Sequence, residues 1–185
     1  MSIDVDVIPT LSTVVCWEEV ESRLRENLGA AAARLLGEAP QLYALGSDEL
    51  QMPDDPLSVE GVYYLNLGVQ NTLGLSAMSN SSDVDELLYL EDYGRNLDPE
   101  TLPALAERWR EAGHYYAITS FAGRGPEELH ILRALAAALA ETCRGYVVLM
   151  HDWIFDLDVG IYTPEEFKGA QVVAKRRRGR GGGLR

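Results

Sequence analysis

Aspartates alternate with apolar residues between positions 151 and 159, and this spacing could support chemistry. On an extended strand, Asp152, Asp156 and Asp158 would point to one side, and the side chains at 153, 155, 157 and 159, which are all apolar, to the other. The first strand of the chain repeats this pattern with Asp4 and Asp6. If the two strands pair, their carboxylates form one acidic sheet surface.

Three interpretations of this surface are open. Carboxylates at this spacing could hold a hard cation such as Mg²⁺ or Ca²⁺, or they could receive Lys and Arg side chains of a protein partner. A solvated face without a role gives the same alternation, because antiparallel sheets commonly place polar residues outward. No Glu/His cluster with ligand spacing accompanies the aspartates, so we expect no metal site. The residues assigned to partner binding are Asp4, Asp6, Asp152, Asp156 and Asp158.

A glycine-containing stretch at residues 121–128 joins a predicted strand to a predicted helix, where backbone amides can bind phosphate. Gly123, Arg124 and Gly125 are compatible with that use, but the spacing is neither GxGxxG nor a P-loop. Glu127 and Glu128 already occupy the positive end of the helix and would repel a phosphate. We interpret the stretch as an ordinary turn.

The remaining reactive side chains form no recognisable catalytic pattern. His114, His130 and His151 lack HxxxH and HxH spacing. Cys143 continues the apolar stripe of a predicted helix, which favours a buried structural thiol over a nucleophile. We therefore expect no catalytic residue, no metal and no cofactor.

The charge of the chain divides between a body and a tail. The formal net charge is −13. Residues 175–185 contain six cations and no anion, which leaves 10 Lys and Arg against 29 Asp and Glu in the body, a formal charge of −19. Such a body repels nucleic acid and anionic lipid and attracts cationic proteins or metal ions. The tail has the composition of a nucleic-acid patch, but the body would oppose that use, and we expect a disordered terminus.

Hydrophobic periodicity predicts about three helices, which begin at Trp17, Pro99 and Pro126. Runs of strand character separate them. The predicted strands are Ile3–Ile8, 42–45, 62–69, 72–78, 87–90, 115–121, 146–150 and 153–162.

These elements predict an α+β fold, in which a mixed, mostly antiparallel sheet packs against about three helices. Residues 1–170 are expected to form a single domain, and residues 171–185 a basic, Gly/Arg-rich tail. The chain shows no signal peptide and no apolar run of membrane-spanning length. Two distant cysteines, Cys16 and Cys143, suit a reducing compartment, so we expect a cytoplasmic protein. Its oligomeric state stays open.

Residues 115–167 carry a resemblance to a known group of proteins. The stretch runs from Ser120-Phe121-Ala122-Gly123-Arg124 through an Ala/Leu-rich helix to Tyr162-Thr163-Pro164-Glu165-Glu166-Phe167. Together with the acidity of the chain, it resembles the immunity proteins of bacterial polymorphic toxin systems. The resemblance implies a protein that binds one toxin and blocks it, commonly through an acidic face when the toxin is a basic nuclease.

We therefore expect a non-enzymatic, acidic binding protein that neutralises a cationic protein partner, in particular a cognate toxin. The alternative is a metal-dependent, hydrolase-like enzyme that uses Asp152, Asp156 and Asp158 together with Asp4 or Asp6.

Overall fold

The computed structural model describes residues 3–37, 40–45, 49–67, 72–80, 85–120 and 125–173. Its strands are β1 (Ile3–Ile8), β2 (Gln41–Ala44), β3 (Val62–Asn66), β4 (Thr72–Ser79), β5 (His114–Ser120), β6 (Tyr146–Leu149) and β7 (Gly160–Tyr162). Its helices are α1 (Trp17–Leu28), α2 (Ala32–Leu36), α3 (Glu86–Tyr93), α4 (Leu102–Ala112), α5 (Pro126–Thr142) and α6 (Pro164–Gly169), with a 3-10 turn (Gly29–Ala31) between α1 and α2. The predicted α+β class is confirmed.

All seven strands join one sheet in the order β2-β3-β4-β5-β1-β6-β7. Every neighbouring pair is antiparallel. β1 lies between β5 and β6, and Asp6 is directly opposite Ala117 on one side and Val148 on the other. The N-terminal strand is thus held by partners more than 100 residues later in sequence.

One face of the sheet carries the main core, formed with α1, α2, α5 and α6. Ile3, Val5 and Val7 point into it from β1 and are fully buried. Leu135 and Leu139 of α5 are also fully buried, which confirms the buried stripe predicted for this helix. The alanines of α5 let it approach the sheet closely, since they add no bulk between backbone and strands.

Part of the opposite face, around β1, β6 and β7, is covered by α3 and α4, which pack with Ile8, Val148 and Ile161 into a smaller second core. The prediction of a strand at 87–90 is wrong, because these residues lie in α3. The side chain of Asp85 caps this helix by accepting from the backbone N–H groups of Leu87 and Leu88. A short apolar run is compatible with either a strand or a helix, and here the Asp85 cap favours the helix.

The prediction of a strand over 153–162 is also wrong for most of its length. Only Gly160–Tyr162 is a strand, and residues 151–159 form an irregular segment. Ile154 and Phe155 are consecutive in sequence and both buried, and Phe155 forms an isolated β-bridge with Val172 rather than a strand ladder. Phe155 packs edge-on against Phe167 of α6 with ring centroids 5.2 Å apart.

The prediction of about three helices is too low, since the described residues contain α1 to α6, and the boundaries of the predicted helices also differ. The predicted first helix is interrupted at Gly29, whose φ of +53° favours glycine. α4 begins at Leu102 rather than at Pro99, because residues 98–101 form a turn in which the backbone N–H of Thr101 bonds to the carbonyl of Asp98. No helix in the described ranges is long and apolar enough to cross a membrane.

The first residues of the predicted tail pack against the body. The backbone N–H of Val173 donates to the carbonyl of Ile154, and Val172 forms a β-bridge with Phe155. Residues 174–185, which hold the six cations of the tail, lie outside the described residues.

Candidate functional site

Asp4 and Asp6 lie on the face of β1 opposite to the main core. Thr119 of β5 donates its hydroxyl to Asp4 Oδ1 at 2.8 Å. Tyr89 of α3 donates its hydroxyl to Asp6 Oδ2 at 2.6 Å. Asp4 is half-buried, whereas Asp6 is only 8% exposed. The strand alternation predicted from sequence is therefore real for β1, but the second aspartate is covered by a helix.

The burial of Asp6 changes its chemistry. Desolvation raises the pKa of its carboxyl from 3.8 to about 6; the hydrogen bond from Tyr89 lowers this pKa, and the nearby charge of Asp4 raises it further. In return, burial and the Asp6 charge raise the pKa of the Tyr89 hydroxyl, which stays a donor. Asp6 can therefore change its charge near neutral pH.

Aromatic side chains surround the Asp6 carboxylate. Tyr89 contacts Trp109 edge-on at a centroid distance of 5.3 Å, and Trp109 contacts Tyr115 at 6.1 Å and 90°. Together with Ile8, they bound a cavity of about 60 Å³. We call this space the Asp6 cavity. The sequence indicates Tyr89, Tyr93 and Tyr115 as tyrosines of an interface type but does not place them beside Asp6, although the spacing of Tyr89 and Tyr93 together with the Asp85 cap is a usable helix signal.

Beyond the Asp6 cavity, the same face of the sheet is not covered by any described helix. We call this region the open sheet face. Tyr43 and Tyr64 stack at its outer side with centroids 5.2 Å apart, and Val62 and Met78 are 42% and 40% exposed. In cross-strand order, Val62, Ser76, Ala117 and Asp6 form one row. The residues of the open sheet face are Tyr43, Val62, Tyr64, Gly74, Ser76, Met78, Ala117 and Thr119.

The open sheet face is shallow in the middle and acidic at its border. Ser76 and Ala117 are small and half-buried, so they form a floor between Val62 and the aspartates of β1. Glu60, which is fully exposed, accepts from the backbone N–H of Ser79 and from its hydroxyl, and these bonds lower its pKa. None of the seven strands contains a Lys or Arg, so the border is anionic without a compensating charge on the strands themselves.

Asp152, Asp156 and Asp158 do not join Asp4 and Asp6. All three are exposed on the irregular segment before β7. Asp156 accepts from the backbone N–H of Gln171 at 2.6 Å, and its charge acts on Arg133 of α5, on the main-core side of the sheet. β1 pairs with β5 and β6 instead, so the single acidic surface expected from two paired strands is not formed.

The other reactive groups occupy structural positions. His114 is buried, and its Nδ1 lies 2.8 Å from the carbonyl oxygen of Ala112. Burial raises the pKa of the Cys143 thiol to about 12, which makes it a poor nucleophile. Within the described ranges, no three His, Cys, Asp or Glu side chains lie together as a group that could hold a metal ion. The predicted turn at Gly123 and Arg124 lies outside the described residues.

These positions leave the open sheet face and the adjoining Asp6 cavity as the candidate functional site. The site combines exposed apolar side chains, a floor of small residues and an anionic border on one side of the molecule. A comparison with known proteins finds no matching family model, no matching curated protein and no matching solved structure.

Proposed function

We propose that this protein is a non-enzymatic binding protein whose open sheet face takes up a basic segment of another protein and thereby neutralises it. The observation that carries the proposal is the row Val62, Ser76, Ala117 and Asp6, which passes from an exposed apolar side chain over small residues to a carboxylate. Lysine and arginine side chains have the same two parts, an apolar stem and a charged head.

Exposed apolar side chains support binding at this face. Val62 and Met78 lie on adjacent strands, and Leu45, which is 63% exposed, follows β2 and bonds through its N–H to the carbonyl of Val62. Contiguous exposed apolar side chains with a polar border are typical of protein interaction sites. The half-buried Tyr43 and Tyr64 add the side-chain type that interfaces favour.

Charge supports a cationic partner. The body carries a formal charge of −19 outside its basic tail, and Asp4, Asp6 and Glu60 border the site itself. A field of this sign speeds the encounter with a basic protein and slows the encounter with nucleic acid or anionic membrane. The partner class that fits is a basic protein, and a toxin domain with this chain as its cytoplasmic immunity protein is the specific form that the resemblance suggests.

Site-specific photocrosslinking in the native organism tests this proposal. Benzoylphenylalanine is placed at Ser76 on the open sheet face and, as a matched control, at Ser22, an exposed serine of α1 on the other side of the sheet. We expect one basic protein to crosslink at position 76 and not at position 22. Equal adducts at both positions, or adducts only with acidic proteins, would overturn the proposal.

Purified captured protein then gives a second, independent readout. Ser76→Arg should weaken its binding at least a hundredfold, because the substitution places a bulky cation on the floor of the site, while Ser22→Arg should bind as the unmodified protein does. Expression of the captured protein alone should arrest growth, and co-expression with this chain should restore it. Normal growth in the first case would contradict the neutralising role.

A further inference from the structure

The Asp6 cavity has a composition that packing alone does not require. A carboxylate that is only 8% exposed lies among three aromatic side chains. Tyr89 donates to its Oδ2, and none of the ion pairs of the described residues involves Asp6. A buried carboxylate without a counter-ion is costly, so the cavity suits a cationic group.

We propose that the Asp6 cavity binds an alkylammonium group, the tip of a lysine side chain, with Asp6 as its counter-ion and Tyr89, Trp109 and Tyr115 as its aromatic walls. This inference rests on the proposed function, since it names the partner group that the open sheet face delivers, but its test uses small molecules and no partner.

The charge and the walls of the cavity select a cation. An anion would meet Asp6, with Asp4 as the next charge along β1. Aromatic faces attract ammonium groups through the ring quadrupole, most strongly where water is excluded. A divalent metal ion needs about six oxygen ligands, and this cavity offers one carboxylate and two phenols.

The size of the cavity admits a small cationic group. Its volume is about 60 Å³, which exceeds the roughly 10–15 Å³ that one water-sized group requires. The compact ammonium head of lysine suits such a space, and its flexible stem can lead back to the open sheet face.

The cavity lies where a lysine side chain bound on the open sheet face can reach it. Tyr89 and Tyr115 are half-buried and therefore reach the surface. Tyr115 is paired with Met78 on the neighbouring strand, so the cavity lies at the inner end of the open sheet face. A lysine that enters there can lay its stem over Ala117 and Ser76.

An NMR titration of the full chain tests the proposal with n-butylammonium, and with n-butanol as the neutral ligand of similar shape. We expect saturable shifts at Tyr89, Tyr115 and the Trp109 indole, with a Kd on the order of millimolar, as suits a ligand of five heavy atoms. n-Butanol should bind at least tenfold more weakly. Equal binding of the two ligands would overturn the proposal, since it would show an apolar cavity only.

Two variants test whether the charge of Asp6 is responsible for the binding of n-butylammonium. Asp6→Asn keeps the acceptor for Tyr89 and removes the charge, and it should weaken n-butylammonium binding at least tenfold. The matched control Asp158→Asn removes an exposed carboxylate from the 151–159 segment and should leave binding unchanged. Equal effects of both variants would show general attraction to an acidic surface and contradict the site. The comparison of the two ligands on the unmodified chain decides the matter if Asp6→Asn does not fold.

A pH series adds a readout that only Asp6 should move. The titratable groups around it are Asp4 on β1, Tyr89 and Tyr93 on α3, Tyr115 on β5 and Glu60 beside Tyr115. Asp6 is the member of this set whose pKa lies near 6, so n-butylammonium affinity should fall about tenfold between pH 7.5 and pH 5. A flat profile would overturn the counter-ion role.

If n-butylammonium binds as expected and crosslinking at Ser76 fails, the cavity assignment stands and the proposed function falls.

Discussion

Tyr89 of α3 donates its hydroxyl to Oδ2 of Asp6 on β1 at 2.6 Å, across 83 positions of sequence. This bond joins the second helical layer to β1, an interior strand of the sheet. It also stabilises a carboxylate that burial would otherwise disfavour. This hydrogen bond therefore affects both the stability of the fold and the charge at the border of the open sheet face.

Removal of this bond should destabilise the protein. In Tyr89→Phe, Asp6 stays buried and loses its donor, and the expected loss is about 1–3 kcal/mol of unfolding free energy at pH 7. The measurement is the urea midpoint at constant slope. Tyr93→Phe is the matched control, because Tyr93 contacts Tyr89 through its ring at 4.8 Å. Equal losses in both variants would show that the hydroxyl–carboxylate bond contributes nothing specific.

The raised pKa of Asp6 predicts a pH dependence of stability with a definite sign. Between pH 3.8 and about 6, the folded protein holds the Asp6 proton while the unfolded chain releases it. Stability therefore falls as pH rises through this window, by up to about 3 kcal/mol from this group. Asp6→Asn lacks this contribution, so its stability relative to the unmodified chain should rise between pH 4 and pH 7.5. A constant difference in unfolding free energy across this range would contradict the assignment.

The position of α5 predicts a large cost for a charge in the main core. Leu135→Asp places a carboxylate at a fully buried position without a partner and should cost several kcal/mol, enough to unfold a domain of ordinary stability. Leu88→Asp is the matched control, since Leu88 is a helical leucine that is 59% exposed. Circular dichroism melting of both variants checks this. A folded Leu135→Asp protein would contradict the assigned core.

The segments that were predictable from sequence are those whose local pattern and tertiary position agree. The alternation of Ile3, Val5 and Val7 and the apolar stripe of α5 each continue long enough to identify the element. Residues 87–90 and 153–159 are short apolar runs, and their structure depends on the Asp85 cap and on packing against α6. The Asp85 cap is a local signal that the sequence does carry, whereas packing against α6 is not visible in any local pattern.

The surroundings of Asp4 and Asp6 depend on strand pairing, which no local sequence pattern shows. Asp4 and Asp6 were predicted as surface residues, but their setting follows from the antiparallel contacts of β1 with β5 and from the position of Tyr89 above the strand. The predicted partner strand, with Asp152, Asp156 and Asp158, formed an irregular segment beside α5 instead. Non-local strand order is therefore the part that the sequence alone could not supply.

The contacts of residues 171–173 predict a boundary for truncation. Removal of residues 174–185 should leave the melting temperature unchanged, because this stretch is rich in Gly and Arg and has no apolar periodicity. Removal of residues 171–185 also deletes the bonds to Ile154 and Asp156 and should cost about 1–3 kcal/mol. Thermal melting of the two truncated chains decides the boundary, and equal melting temperatures would contradict it.

The association of the captured basic protein with two sets of aspartate variants, measured across a salt series, tests the central claim most directly. Asp4→Asn with Asp6→Asn should weaken affinity at least about thirtyfold, mainly through faster dissociation, because these carboxylates lie at the site. The triple change of Asp152, Asp156 and Asp158 to Asn should slow association only at low salt, where their charge steers from a distance. Large loss of affinity in the triple variant, with the double variant binding as the unmodified chain does, would contradict the open sheet face as the binding site.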